Sequence, residues 1–252
     1  MNTRLLRYSR FQVPEFIQHR LALPLVLIAF MAGLPTYLMT KNVPPGWMQS
    51  PQGVNLARQM FAQSITLFLP LGAFVGAVGV ISSDRQQGYF RFLFSKPVNV
   101  LAYYAQTYAL HAIVFVLTFG VIVWGFGLYT VHFSVHRSME AAVLTFVLIG
   151  GIGLLLGSLT RYDGAGLIAV YVLALMLQQL MAAPNGLKNG GLPDWLATIA
   201  KGLPPVGKLD HLRDHLYAGT AIDLPELWHV LGYGGGAALL GFILLRRLPL
   251  SR

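Results

Sequence analysis

The chain has 252 residues, of which 55% are hydrophobic and only 11% are charged, and its mean hydropathy is +0.60. A soluble domain of this length does not need so apolar a composition, so a soluble globular protein is excluded and a polytopic membrane protein is indicated. The sequence contains no cysteine, which excludes disulfides and thiolate metal sites.

The first 20 residues mix apolar and charged side chains. Pro14 and Glu15 suit the start of a helix, and the mixture suits a segment that lies along the inner membrane surface. We therefore predict an interfacial amphipathic lead-in over 1–20, with a frayed basic tail as the alternative. Its apolar and aromatic residues include Leu5, Leu6, Tyr8, Phe11, Phe16 and Ile17.

Six apolar runs follow, each able to cross a hydrocarbon core about 30 Å thick as a helix of roughly 20 residues. They are continuous rather than alternating, as in LALPLVLIAFMAGL, which favours helices over an outer-membrane barrel. The predicted fold class is an all-α polytopic membrane protein, with a single transmembrane domain over 1–252. The spans are predicted near 21–39, 61–82, 103–129, 141–159, 165–183 and 227–245.

The positions of the 18 Lys and Arg predict the orientation. If both termini are cytoplasmic, the cytoplasmic segments hold 11 basic residues over about 52 positions, and the external segments hold 7 over about 75. This bias predicts a multi-pass protein of the inner (cytoplasmic) membrane with both termini inside. Contact with anionic lipid then explains the net charge of +9, so no nucleic-acid partner is predicted.

The spans themselves contain little chemistry. All nine Asp and Glu fall outside the apolar runs, whereas ion-coupled carriers usually keep ionisable groups within the bilayer. The sequence also shows no pair of nucleophile and base and no HExxH helix, so an intramembrane hydrolase is disfavoured. His111 and His229 lie in or beside spans, and we expect interhelical hydrogen bonds from them rather than a functional role.

Glycines spaced four apart favour close packing of helices, either within the bundle or at an oligomer seam. Three such pairs occur in the spans: Gly72 and Gly76, Gly153 and Gly157, and Gly232 and Gly236.

The external loop 184–226, between spans five and six, is the largest predicted piece outside the membrane. Within it, GLPPVGKL from Gly202 to Leu209 has the spacing of a phosphate loop. Leu209, however, replaces the Ser or Thr that would hold magnesium, and two prolines remove backbone donors from the cradle. We therefore expect a turn before a short external helix instead.

Two histidine pairs, His132 with His136 and His211 with His215, have the spacing that lets two imidazoles share one helical face and a metal ion. Two aspartates beside the second pair could add oxygen ligands or orient the imidazoles. The segment DHLRDH is equally typical of a solvated helix face, and we predict no metal site.

The segment 84–98, between spans two and three, concentrates charge between two apolar runs. It reads DRQQGYFRFLFSKPV, with Gly88 four residues after Asp84 and a proline before the next span. Aromatic and arginine side chains are favoured in the hot spots of protein interfaces. The alternative is an interfacial helix whose aromatic residues lie among lipid headgroups.

In order and spacing, the chain resembles the permeases of the type-2 family of ATP-binding-cassette transporters. Besides Asp84 and Gly88, the resemblance includes the amphipathic lead-in, the six spans, GSLTRYDGAG between spans four and five, LPP in the last external loop and the basic LLRRLPLSR. Members of the family commonly have Glu where this chain has Asp84, and Thr where it has Tyr89.

The resemblance implies a half-channel that pairs with a second permease copy or a homologue and binds a separate cytoplasmic ATPase subunit. ATP and magnesium would bind to that partner, so the chain itself would have no cofactor and no enzymatic activity. It also implies short capping helices in the external loop and a coupling helix at 84–98. The residues expected to contact the ATPase are Asp84, Arg85, Gln86, Gly88, Tyr89, Arg91, Phe92, Phe94 and Lys96.

The expected function is therefore transport across the membrane, in the direction of export, driven by ATP hydrolysis in the partner. Two alternatives stay open. One is a non-transporting membrane scaffold or metalloenzyme assembly factor, for which the histidine pairs would matter. The other, less favoured, is a secondary carrier.

Overall fold

The computed structural model describes residues 50–86, 99–129, 134–160, 162–182 and 194–247, together with Pro14 and Gly46. Within these residues the regular structure is entirely helical, which confirms the predicted class. The first predicted span, almost all of the lead-in and residues 87–98 lie outside them. The helices are α1 Pro51–Ala77, α2 Ser82–Gln86, α3 Val100–Tyr129, α4 Val135–Leu159, α5 Asp163–Ala182, α6 Asp194–Gly202, α7 Val206–Ala218 and α8 Leu224–Arg247.

Four of these helices, α3, α4, α5 and α8, are long and apolar enough to cross a membrane. They overlap the apolar runs predicted near 103–129, 141–159, 165–183 and 227–245. The composition therefore indicates a membrane protein, as expected.

Helix α1 has different limits from the apolar run at 61–82. It begins at Pro51, because Ser50 caps it: the Ser50 Oγ accepts a hydrogen bond from the Gly53 N–H at 3.2 Å, and proline is favoured in the first turn. It ends at Ala77, after which Val78 is extended and Gly79 has a φ of 78°. This left-handed conformation suits glycine, and the turn leads directly into α2.

Helix α4 is the centre of the bundle. It packs against α1, α3, α5, α7 and α8, and most of its residues are buried. Its buried hydroxyls are bonded within the helix, since Thr145 donates to the Ala141 carbonyl and Ser158 to the Leu155 carbonyl. These two hydroxyls therefore need no partner from lipid.

Helices α4 and α8 make the most extensive contact, at a point where two glycines meet. A Cβ on Gly151 would overlap the carbonyl oxygen of Gly234. Among the predicted pairs, a Cβ on Gly153 would lie 3.0 Å from Ala77 of α1, but one on Gly232 or Gly236 would meet nothing within 4 Å. Among the described residues, the close approach of α8 to α4 therefore involves Gly234 rather than Gly232 or Gly236, and the role of this last pair, within the bundle or at an oligomer seam, stays a prediction.

Helices α6 and α7 lie between α5 and α8, in the segment for which short helices were expected. Helix α7 packs against α4, α5 and α8, and it buries an apolar stripe in the main core. The stripe contains Leu209, Leu212 and Leu216. This helix is thus an integral part of the bundle.

Candidate functional site

The turn between α1 and α2 is held by one carboxylate from a distant part of the chain. Asp163, the first residue of α5, is only 3% exposed. Its Oδ2 accepts a hydrogen bond from the Gly79 N–H at 2.9 Å, and its Oδ1 accepts from the Ser82 hydroxyl at 2.7 Å. Asp163, Gly79 and Ser82 are called the Asp163 clasp below.

The local fold places Asp163 there for two physical reasons. A carboxylate in the first turn of a helix is stabilised by the helix dipole and by free backbone N–H groups, and Oδ1 also accepts from the Gly164 N–H at 2.9 Å. In addition, α4 leaves room for the carboxylate because Gly157 has no side chain. A Cβ at this position would lie only 3.3 Å from Oδ2. The carboxylate is therefore fully bonded despite its burial.

A second contact joins α2 to α3. The hydroxyl of Tyr104, whose side chain is completely buried, donates to Oδ2 of Asp84 at 3.1 Å. The Tyr103 ring packs edge-on against Tyr104, with 5.1 Å between the ring centroids. Within the turn, the Ser83 hydroxyl donates to the Gly79 carbonyl. The start of the segment 84–98 is therefore attached to both α5 and α3.

The end of α1 is also bonded to α3. Nδ1 of His111, which is buried, lies 2.9 Å from the carbonyl oxygen of Gly76. A carbonyl only accepts, so Nδ1 carries the hydrogen. The expectation that His111 forms an interhelical hydrogen bond is confirmed.

The structure describes only the beginning of the predicted coupling helix. Asp84, Arg85 and Gln86 lie in α2, whereas the other proposed contact residues, Gly88, Tyr89, Arg91, Phe92, Phe94 and Lys96, lie outside the described residues. Sequence reasoning missed Asp163. Its signal was an acid at the start of an apolar helix, directly after the GSLTRY turn.

The phosphate-loop spacing at 202–209 has a structural explanation. The side chain of Gln178, on α5, accepts from the Gly207 N–H and donates to the Pro204 carbonyl at 2.9 Å. Leu209 is fully buried in the core. The segment is thus a turn that leads into α7, as expected.

The histidine pairs are bonded to nearby side chains. His136 lies 3.1 Å from Glu140, and His132 falls outside the described residues. Nδ1 of His211 lies 2.8 Å from Oε2 of Glu226, and Nδ1 of His215 lies 2.6 Å from the Thr220 hydroxyl. In the part of the chain that the structure describes, no three His, Asp or Glu residues are grouped to hold a metal ion.

Glu226 also changes the titration of His211. Its hydrogen bond, and secondly its negative charge, raise the pKa of His211. A raised pKa in the folded state means that this contact stabilises the fold at low pH and that its contribution is lost as the pH rises through that pKa. The pair links α7 to α8 on the surface.

We expect the intact protein to bind no copper or zinc specifically at His211 and His215. The two Nδ1 atoms are already bonded, and two imidazoles alone leave a tetrahedral site incomplete. Isothermal titration calorimetry with Zn²⁺ and Cu²⁺ should give the same result for the wild type and for the double variant His211→Ala, His215→Ala. Stoichiometric binding that the double variant loses would contradict this expectation.

No protein-family model matches the chain, and no curated protein matches it significantly. Function is therefore inferred from the geometry described above.

Proposed function

We propose that this chain is the membrane-spanning permease subunit of an ATP-binding-cassette exporter, with the segment 84–98 as its coupling helix. One observation carries the proposal. The entry to that segment is joined to α5 by the Asp163 clasp and to α3 by the hydrogen bond between Tyr104 and Asp84. A loop that only rested among lipid headgroups would not need these attachments, two of which are buried.

These attachments give the segment a mechanical role. Its two ends continue into α1 and α3 through the chain, and the Asp163 clasp adds α5. All three of these helices pack against α4. A displacement of the segment would therefore move several spans together.

The driving force would come from the partner. ATP binding would draw two cytoplasmic ATPase subunits together beneath two permease copies, and each coupling helix would pass this motion to its bundle. Nucleotide and substrate would then bias one equilibrium between inward-open and outward-open states. This arrangement requires an inner-membrane location with both termini in the cytoplasm.

The proposal is tested at Arg91 and Phe92, the expected anchors on the ATPase. Truncation of an interface anchor to Ala costs about 2 kcal/mol, which is roughly thirty-fold in affinity. The double variant Arg91→Ala, Phe92→Ala should lose most of its association with the partner ATPase. Pull-down of that partner and ATP turnover in nanodiscs measure the effect.

A matched control removes one basic and one aromatic side chain elsewhere. Lys208 and Trp228 lie on α7 and α8, on the predicted external side, and Trp228 is 69% exposed. The double variant Lys208→Ala, Trp228→Ala should associate like the wild type. If the Arg91, Phe92 variant is correctly inserted and associates normally, the coupling role is refuted.

A further inference from the structure

A buried arginine interrupts the apolar stripe of α7. Arg213 is 1% exposed and lies among Leu209, Leu212 and Leu216 on the face that packs into the bundle. Burying a charge is costly unless its hydrogen-bonding groups are satisfied. An arginine at this position therefore calls for a reason beyond packing.

The guanidinium is only partly satisfied. Nη2 forms an ion pair with Oδ1 of Asp210, one turn earlier on α7. Nε and Nη1 of Arg213, the hydroxyl of Tyr217 and, on the acceptor side, Oδ1 of Asp210 have no hydrogen-bond partner among the described residues. Most buried polar groups in proteins are bonded. The single oxygen of Asp210 cannot satisfy all three of these donors, so a further acceptor is missing.

The surroundings favour an acceptor with negative charge. Burial lowers the pKa of Arg213 and raises that of Tyr217. A guanidinium nevertheless stays protonated in proteins, and a phenol with a raised pKa keeps its hydrogen. Arg213 also lies within electrostatic range of Tyr171, near the middle of α5. One cation and two phenols therefore lie close enough to interact electrostatically in a largely apolar interior, and the charge of Asp214 also acts on Arg213 and Tyr217.

Asp210 lies at the edge of this group. Its side chain is 36% exposed, whereas that of Arg213 is 1% exposed. Oδ1, the oxygen that faces Arg213, is buried, but the exposed part of the side chain gives the carboxylate a route to turn towards water. If it did, Nη2 would join the two other free donors of the same guanidinium.

We propose that Arg213, Tyr217 and Asp210 form an oxyanion site, in which Asp210 occupies the guanidinium until a carboxylate or phosphate group replaces it. Charge-assisted hydrogen bonds to Arg are the strong ones, and carboxylate and phosphate are the groups that Arg binds best. The group can belong to a lipid headgroup or to a soluble anion. The site is independent of the coupling role proposed above.

The test is thermal unfolding of the full chain in detergent. The probes are dioctanoyl phosphatidic acid, sodium phosphate and sodium acetate, compared with dioctanoyl phosphatidylcholine and sodium chloride at equal ionic strength. A ligand that binds only the folded state raises the Tm. We expect a rise in the wild type with phosphatidic acid alone if the source is a lipid, or also with phosphate or acetate if it is a soluble anion.

Three variants test whether the shift in Tm depends on Arg213 and Asp210. Arg213→Met should abolish the shift, and without ligand it should be as stable as the wild type or more so, because a partly unpaired buried charge is removed. Asp210→Asn removes the competing carboxylate and should bind about tenfold more tightly. Lys208→Met, the same loss of charge on the same helix, should respond like the wild type.

The proposal is overturned if no probe shifts the wild type, or if Arg213→Met shifts equally. Should Arg213→Met fail to fold, Asp210→Asn decides alone: tighter binding than the wild type supports the site, and equal or weaker binding refutes it.

Discussion

Gly151→Leu is expected to prevent stable folding of the bundle. Any Cβ at this position overlaps the backbone carbonyl oxygen of Gly234, and backbone cannot move aside as a flexible side chain can. Helices α4 and α8 would have to separate along their most extensive contact. Overpacking that is relieved by side-chain movement typically costs about 1–3 kcal/mol, and an overlap with backbone costs more. We therefore expect the free energy of unfolding to fall by at least about 3 kcal/mol. Thermal unfolding in detergent and the yield of monodisperse protein measure it.

Gly232→Leu is the matched control on α8. A Cβ there meets nothing within 4 Å among the described residues, and both substitutions gain similarly in helix propensity. The control should therefore be as stable as the wild type or slightly more stable. Equal stability of the Gly151 and Gly232 variants would contradict the close approach of α4 and α8.

Asp163→Ala is expected to separate the turn at 78–82 from α5. The change removes both acceptors of the clasp and leaves the Gly79 N–H and the Ser82 hydroxyl without this buried partner. Hydrogen bonds to charged groups contribute about 1.5–3 kcal/mol each, so the bundle should lose stability by about that amount or more. If the proposed function holds, the partner ATPase should still bind, but substrate should no longer stimulate its ATP turnover.

Asp223→Ala serves as the control, because it removes an exposed carboxylate just before α8. Its turnover should match the wild type, and any loss of stability should arise at the start of α8, where the Asp223 carbonyl accepts from the Leu227 N–H. Hydrogen exchange at the Gly79 amide gives a readout that needs no partner: exchange should accelerate in Asp163→Ala and not in Asp223→Ala. An unchanged rate in Asp163→Ala would show that the clasp does not hold the turn.

Hydropathy predicted four of the helices well because each is a continuous apolar run. Helix α1 begins before the apolar run predicted near 61–82, since residues 51–60 mix polar and apolar side chains and only Ser50 and Pro51 mark the beginning. A helical extension of mixed composition carries no clear hydropathy signal. Capping residues are the better guide to where such a helix begins.

The clasp could not be predicted from local sequence. Asp163 and Gly79 are 84 positions apart, and nothing in either segment specifies the other. The sequence does contain an acid at the start of a helix, which explains why Asp163 bonds to backbone donors. It does not indicate which donors these are. The contact depends on how α1, α4 and α5 pack.

The burial of Arg213 was indicated by its position in the helical spacing, but the charged pattern of DHLRDH suggested a solvated face instead. Interpreted as a solvated face, DHLRDH places every charge in water. Positions 209, 212, 213 and 216 nevertheless have the spacing of one helical stripe, so the periodicity of the leucines includes the arginine. His211 and Asp214 are exposed as expected, and only Arg213 turns inward.

The contact between α4 and α8 also constrains how the chain is made. Helix α4 is synthesised well before α8, so the surface around Gly151 first faces lipid or the insertion machinery. Helix α7 emerges next to a bundle that still lacks one of the helices against which it packs. A nascent chain that stops short of Leu224 therefore has an uncovered apolar groove along α4. Until α8 inserts and covers this groove, membrane chaperones or proteases can recognise the incomplete chain.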